Sequence, residues 1–187
     1  MEPRIIFFLG KPGCGKGTQA ALLAEKTGWK VLSSGKLFRS IATEETPVGR
    51  KVKEENDAGL LAPHWFAMYL YLRELFAIPD GVGAIFDGFN RKVPEAELVI
   101  SSMQWLNKPF TVFNIAVSDE EVVRRLALRK EIEGRADDAA VTKRLEEYKE
   151  HTNPAIEIFK NNGYLVEVNG EQSPENVAAD IQKMLSL

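Results

Sequence analysis

The stretch GKPGCGKGTQ, Gly10 to Gln19, constrains the fold most, because it follows directly on the apolar run IIFFL. Four glycines and a proline in ten residues suit neither a strand nor the interior of a helix. A strand, a glycine-rich turn and a helix beginning near Lys16 together make a phosphate cradle. Backbone N–H groups converge in it, and the helix dipole favours negative charge there. Lys16 then contacts the terminal phosphates, and Thr18 reaches a magnesium ion directly or through its water. The strict pattern G-x-x-x-x-G-K-[ST] is missed by one residue, since Gly17 intervenes before Thr18, so the loop is a variant. A plain glycine turn is the competing reading; the strand before it and the helix after it favour nucleotide phosphate. Cys14 reads as a small residue at a permissive loop position. If accessible, its thiol among N–H donors near Lys16 would be activated, and alkylation would block nucleotide binding.

The remaining pattern carries that loop into an α/β architecture. IIFFLG (Ile5 to Gly10), KVLSS (Lys30 to Ser34), AIFDG (Ala84 to Gly88), FTVFNIAV (Phe110 to Val117) and YLVEV (Tyr164 to Val168) have the length and β-branched or aromatic content of buried parallel strands. Helical patterns lie between them at Lys16 to Lys26, Pro94 to Trp105, Asp119 to Arg129, Ala139 to Lys160 and Pro174 to Leu187. The last has Ser173 as N-cap and Pro174 at its first position. The alternation predicts a doubly wound five-stranded parallel sheet with helices on both faces. Only Gly35 to Phe76 breaks it, reading as all helical, where a small lobe would be inserted into a single domain spanning 1–187. With 24 Lys and Arg against 27 Asp and Glu, the chain has no broad basic surface for nucleic acid. The single cysteine excludes an intrachain disulfide, and the N-terminal apolar run is too short for a signal peptide or a membrane span. The expectation is a cytoplasmic protein.

Residues just past the C-terminal ends of strands line the ligand crevice of such a sheet. SSGKLFR follows the second strand, FDGFNRKVPEAE the third, and GRADDAAVTKRLEEY precedes the last. Arg39, Asp87, Arg91, Arg129, Arg135 and Arg144 are thereby candidates to converge on phosphates. The chain resembles the adenylate kinases, within the nucleoside monophosphate kinases, on the loop G-x-P-G-x-G-K-G-T with its extra glycine, SSG…LFR, DGF-x-R, and G-R-x-D-D followed by an Arg-Leu pair. The resemblance implies reversible phosphoryl transfer from ATP to AMP with Mg²⁺. It implies that Gly13, Cys14, Gly15, Lys16, Gly17 and Thr18 hold the donor phosphates, with Arg125 near the donor base. Asp87, with Thr18, would bind magnesium through water. Ser34, Arg39, Gly88 and Arg91 would hold the acceptor monophosphate, with Leu60, Leu61 and Ala62 beside its base. Arg129, Arg135 and Arg144 would close on the reacting phosphates. A ring of guanidinium forks with Mg²⁺ suits a reaction that asks for positioning and charge neutralisation. Neither His64 nor His151 falls in a matching motif. A monomer is the family expectation. Only KEIEG separates Arg129 from Arg135. The large lid of the family, and any zinc site in it, is therefore expected to be absent, leaving a short loop at 129–135.

Three departures bear on function. Lys36 stands where the family has an acid; it either neutralises charge near the triphosphate or faces solvent. Asn90 stands where the family has a proline after a cis bond. Either the bond is trans and the turn rearranged, which would displace Arg91, or Asn90 is strained. Glu95 stands where a glutamine reads the acceptor base. An ionised carboxylate accepts from adenine N6–H₂ but meets the N1 lone pair with another, which would favour guanine or cytosine. A protonated carboxyl serves N1 and restores adenine. Alternatively, Glu95 faces water in the first turn of a helix. These departures leave open a CMP, UMP or GMP kinase of the same fold, and a nucleotide-binding module without turnover.

Overall fold

A computed structural model describes residues 5–133 and 140–187. Five strands, β1 (Ile5–Gly10), β2 (Lys30–Ser33), β3 (Ala84–Asp87), β4 (Phe110–Ala116) and β5 (Leu165–Asn169), form one sheet in the order β2-β3-β1-β4-β5. Every pairing is parallel. All six residues of β1 are buried, as its central place demands. Its side chains alternate between two cores. Ile5, Phe7 and Leu9 pack with Val99 and Met103 of α5 (Val93–Trp105) and with Ile156 and Phe159 of α8 (Asn153–Asn161). Ile6 and Phe8 pack on the other face with Leu23 of α1 (Lys16–Thr27), Val122 and Leu126 of α6 (Asp119–Glu133), and Val177 and Ile181 of α9 (Pro174–Met184). Helices cover both faces, the doubly wound arrangement the alternation predicts.

Between β2 and β3 the chain runs through α2 (Ser34–Ala42), α3 (Pro47–Asp57) and α4 (His64–Phe76). Thr46 caps α3 by accepting from the Gly49 N–H at 2.9 Å, with Pro47 pre-set for the first turn. Tyr71 ties α4 to the sheet: its ring lies 5.4 Å from Phe86 and 6.1 Å from Phe7, and its hydroxyl meets Ser102 Oγ at 3.0 Å. Burial pushes the Tyr71 phenol well above its ordinary pKa, so the hydroxyl stays neutral in that contact.

The helix expected over Ala139 to Lys160 is divided into α7 (Val141–Glu147), a π turn at Tyr148–Thr152, and α8. Pro154 is the cause. It cannot donate to the carbonyl four residues earlier, and the ladder loosens there, with the Asn153 N–H bonding back to Tyr148 O. A second difference lies in α6, which continues to Glu133. The stretch after Arg129, expected as the start of a short loop, is therefore helical to that residue. Its first turn carries Asp119, Glu120 and Glu121, favourable at the positive end of the helix dipole.

Candidate active site

In the sheet register Phe8 and Ser33 both pair with Asp87, so β2 and β3 end side by side and β1 runs two residues further, to Gly10, at one edge of the molecule. The chain crosses between the two halves of the sheet at β1, which makes this edge the ligand crevice of the fold. Gly10 leaves β1 at φ 135; a Cβ there would lie 2.6 Å from Ile115 O, so only glycine lets the loop turn away. Gly15 then takes φ 105 and caps α1 at Lys16.

Two side chains hold this loop from behind. Arg125 Nη1 donates to Cys14 O at 3.1 Å, Nη2 donates to Gly170 O at 2.8 Å, and Nε donates to Glu121 at 2.6 Å. Lys11 donates to Val117 O at 2.7 Å and pairs with Asp119 at 2.6 Å, which also pairs with Lys149 at 2.9 Å. Arg125, expected beside the donor base, thus has bonds on all three of its nitrogens and anchors the loop. Cys14 is 1% exposed and packs in the core with Phe8 and Leu23. Its burial overturns the idea of an accessible, reactive thiol; it is a small residue filling space under the loop.

Lys16 curls into the loop, with Nζ donating to Gly10 O at 2.8 Å and Lys11 O at 2.7 Å. Burial pushes the ammonium below the ordinary lysine range; Arg91 adds in the same direction and Asp87 opposes it. Asp87 accepts from Ser33 Oγ at 2.9 Å, and its Oδ2 lies 3.8 Å from where a Cβ on Gly17 would sit. Asp87 therefore faces the first turn of α1, where Thr18 is exposed. This all-oxygen set of carboxylate and hydroxyls suits a hard divalent cation. Among the described residues, no three His, Cys, Asp or Glu side chains gather as a metal cage.

Beside Asp87 the acceptor-side candidates converge on Gly88. Ser34 Oγ donates to Gly88 O at 2.7 Å, and Arg91 Nε donates to the same oxygen at 2.6 Å. Gly88 has φ 75, and a Cβ there would meet Arg91 Nη2 at 2.6 Å, so the cluster requires glycine. Arg39 brings Nη1 within 3.1 Å of the Cβ position of Gly35, over the start of α2. Arg144 lies with its Cγ 3.1 Å from the Cβ position of Gly59, next to Leu60, Leu61 and Ala62. Arg129 is half-buried on α6, one turn beyond Arg125, while Arg135 lies outside the described residues.

Lys36 is exposed, which settles its side chain toward solvent. All peptide bonds among the described residues are trans, and Asn90 takes φ 68 while 2% exposed, with no partner for Nδ2. Both alternatives for the turn are therefore realised at once, and Arg91 nevertheless stays in the Gly88 cluster. Glu95 is 6% exposed, not facing water, and accepts from the Arg91 N–H at 2.7 Å. Burial raises its pKa, and the bonds and charges from Arg91 and Lys92 oppose the rise. His64 is exposed, and His151 lies 3.8 Å from Glu147. Sequence reasoning missed Lys11, Lys92 and Glu147, whose partners are backbone or side-chain groups far along the chain that no spacing announces.

Comparison with known proteins agrees with this geometry. The adenylate kinase family model matches residues 8–164. An adenylate kinase of Synechococcus is 40% identical over 187 residues, covering 98% of this chain and 96% of its own length. One of Thermus thermophilus is 37% identical over 185 residues, covering 97% of each chain, and one of Maricaulis maris is 38% identical over 183 residues, covering 96% and 97%. The matched span, nearly the whole length of both chains, takes in the residues of the loop, of the Gly88 cluster and of the lobe between β2 and β3. The chain belongs to the adenylate kinase family, enzymes that transfer a phosphoryl group from ATP to a nucleoside monophosphate, AMP in this family.

Proposed function

We propose that this chain transfers the terminal phosphoryl group of Mg·ATP to AMP, reversibly, with the loop at Gly13–Thr18 as donor site and the Gly88 cluster as acceptor site. The observation that carries the reading is that Lys16, held on Gly10 O at the end of β1, and Arg91, held on Gly88 O just past β3, are brought side by side where the Gly88 N–H donates to Phe8 O at 3.3 Å. Phosphoryl transfer requires in-line placement and spread positive charge more than acid–base chemistry. Lys16 would exchange its bonds to Gly10 O and Lys11 O for phosphate oxygens, its half-buried stem already lying beside the site. Ser34, Arg39, Gly88 and Arg91 would hold the acceptor phosphate, and Leu60, Leu61 and Ala62 the side of its base. Arg129, Arg135 and Arg144 would neutralise charge on the reacting phosphates. Thr18 and Asp87 would hold magnesium through its water; when bound, the ion neutralises the β- and γ-phosphate oxygens.

Burial shifts the Glu95 carboxyl toward its protonated form, against the opposing bonds and charges of Arg91 and Lys92, and in that form its O–H would serve adenine N1, consistent with AMP as acceptor. The helices from α2 to α4 would act as a lobe, 35–76, closing over the acceptor and excluding water together with the chain around 129–135. No zinc is required by this scheme. No helix among the described residues is long and apolar enough to cross a membrane. A cytoplasmic monomer is the family expectation, and the charge balance offers no broad basic surface for nucleic acid. The test is ADP formation with Arg91→Ala: KM for AMP rises by at least about tenfold while KM for ATP stays near wild type. Equal loss of both would contradict the assignment of Arg91 to the acceptor.

A further inference from the structure

Leu61 and Ala62 belong to the link between α3 and α4, residues in neither helix nor strand. Their backbone groups lack a ladder to satisfy them, and two side chains of opposite charge take that role. Lys92 Nζ donates to Ala62 O at 3.1 Å and lies 3.5 Å from Leu61 O. From the other flank, the Leu61 N–H donates to Glu147 Oε2 at 3.2 Å. Lys92 is itself rigidly based. It is the N-cap of α5, and its carbonyl accepts from the Glu95 and Ala96 N–H groups at 3.0 Å each. Its half-buried stem reaches from the start of α5, one residue beyond Arg91, to chain 30 residues earlier.

We propose that Lys92 is a positioning residue for acceptor specificity, fixing the wall formed by Leu61 and Ala62 relative to the Arg91 that holds the acceptor phosphate. This rests on the reading of that link as the base side of the acceptor site. Of the two side chains that hold the link, Lys92 is the one that ties its distance to the phosphate grip, since residues 91 and 92 are adjacent at the start of α5. An acceptor with a base benefits from this spacing; one without a base does not. The backbone carbonyls are polar and half-buried, so losing the ammonium leaves them to be satisfied by water, and the wall is no longer held at one distance.

Lys92→Met keeps the stem and removes the donor, while Lys92→Arg retains donors able to reach both carbonyls. Steady-state kinetics with AMP and ATP varied in turn, and competitive inhibition by ribose 5-phosphate, read the effect. Lys92→Met should raise KM for AMP about tenfold, leave kcat and KM for ATP within about twofold, and leave ribose 5-phosphate inhibition unchanged. Lys92→Arg should return KM for AMP to within about threefold of wild type. An unchanged KM for AMP in Lys92→Met overturns the proposal while leaving the acceptor site intact. Parallel weakening of ribose 5-phosphate overturns it as well, since Lys92 would then act on the phosphate. A wild type that does not saturate with AMP removes the acceptor reading itself and the positioning role with it.

Discussion

Arg125 offers the sharpest test of how the donor loop is held. Its guanidinium donates to Cys14 O at 3.1 Å and to Gly170 O at 2.8 Å, joining the phosphate loop to the turn after β5. A hydrogen bond from a charged donor contributes about 1.5–3 kcal/mol, and the lower figure applies to a side chain that is 24% exposed. Two such bonds amount to about 3 kcal/mol, of which Arg125→Met loses all and Arg125→Lys, able to reach one carbonyl, about half. At about 2–4 °C per kcal/mol for a chain of this size, melting should fall by roughly 6–12 °C in Arg125→Met and roughly 3–6 °C in Arg125→Lys. With the Cys14 carbonyl released, the loop no longer presents its N–H groups in one arrangement, so KM for ATP should rise about tenfold. KM for AMP should hold. Thermal denaturation and two-substrate kinetics read both effects. A melting point within about 1 °C of wild type in Arg125→Met would mean that water replaces both bonds without cost, refuting the anchor. A raised KM for ATP with unchanged melting would place Arg125 against the nucleotide instead.

Other sites give further expectations. Glu95 has a folded-state pKa raised by burial, so its folded form binds the proton more tightly than the unfolded chain does. Its contribution is full below the unfolded pKa and is lost as pH rises through the folded value. Glu95→Gln, which keeps an acceptor for the Arg91 N–H, should therefore gain stability over wild type increasingly as pH rises from acid to neutral. Denaturant titrations across that range check it, and a gap independent of pH would contradict it. At Asn90, φ 68 makes glycine the better replacement: Asn90→Gly should be more stable than Asn90→Ala by about 1 kcal/mol, and equal stabilities would deny the left-handed turn. Cys14, 1% exposed, should resist thiol reagents in native buffer and react once denaturant is added. Rapid stoichiometric labelling of the native protein would show that the loop opens.

Much of this architecture was legible from the order of residues, for physical reasons that differ by element. β1 reads directly because a central parallel strand is apolar on both faces, and the structure begins and ends it where IIFFLG does. The start of α1 at Lys16 and the cap at Ser173 follow from local rules of glycine and serine. The π turn is harder to see: Pro154 is visible, but whether a long amphipathic run tolerates it depends on what packs against Tyr148 and Thr152. Gly88, Ser34 and Arg91 were recognisable as motif residues, yet their shared oxygen emerges only when β2 and β3 lie side by side. The clasp of Lys92 on Ala62 and the seat of Arg125 under Cys14 are long-range contacts to backbone carbonyls. A carbonyl has no sequence signature, so such contacts belong to the fold alone. Glu95 shows the converse: local helix rules allow an acid in a first turn to face solvent, and its 6% exposure, beside Tyr71 of α4 and Phe89, comes from tertiary packing.

The most direct measurement is coupled ADP formation from Mg·ATP with AMP, CMP, UMP, GMP and dTMP in turn, with Lys16→Met as the blank. The account predicts turnover with AMP well above the other acceptors, abolished in the Lys16→Met protein. Retained ATP binding without turnover on any acceptor would contradict it.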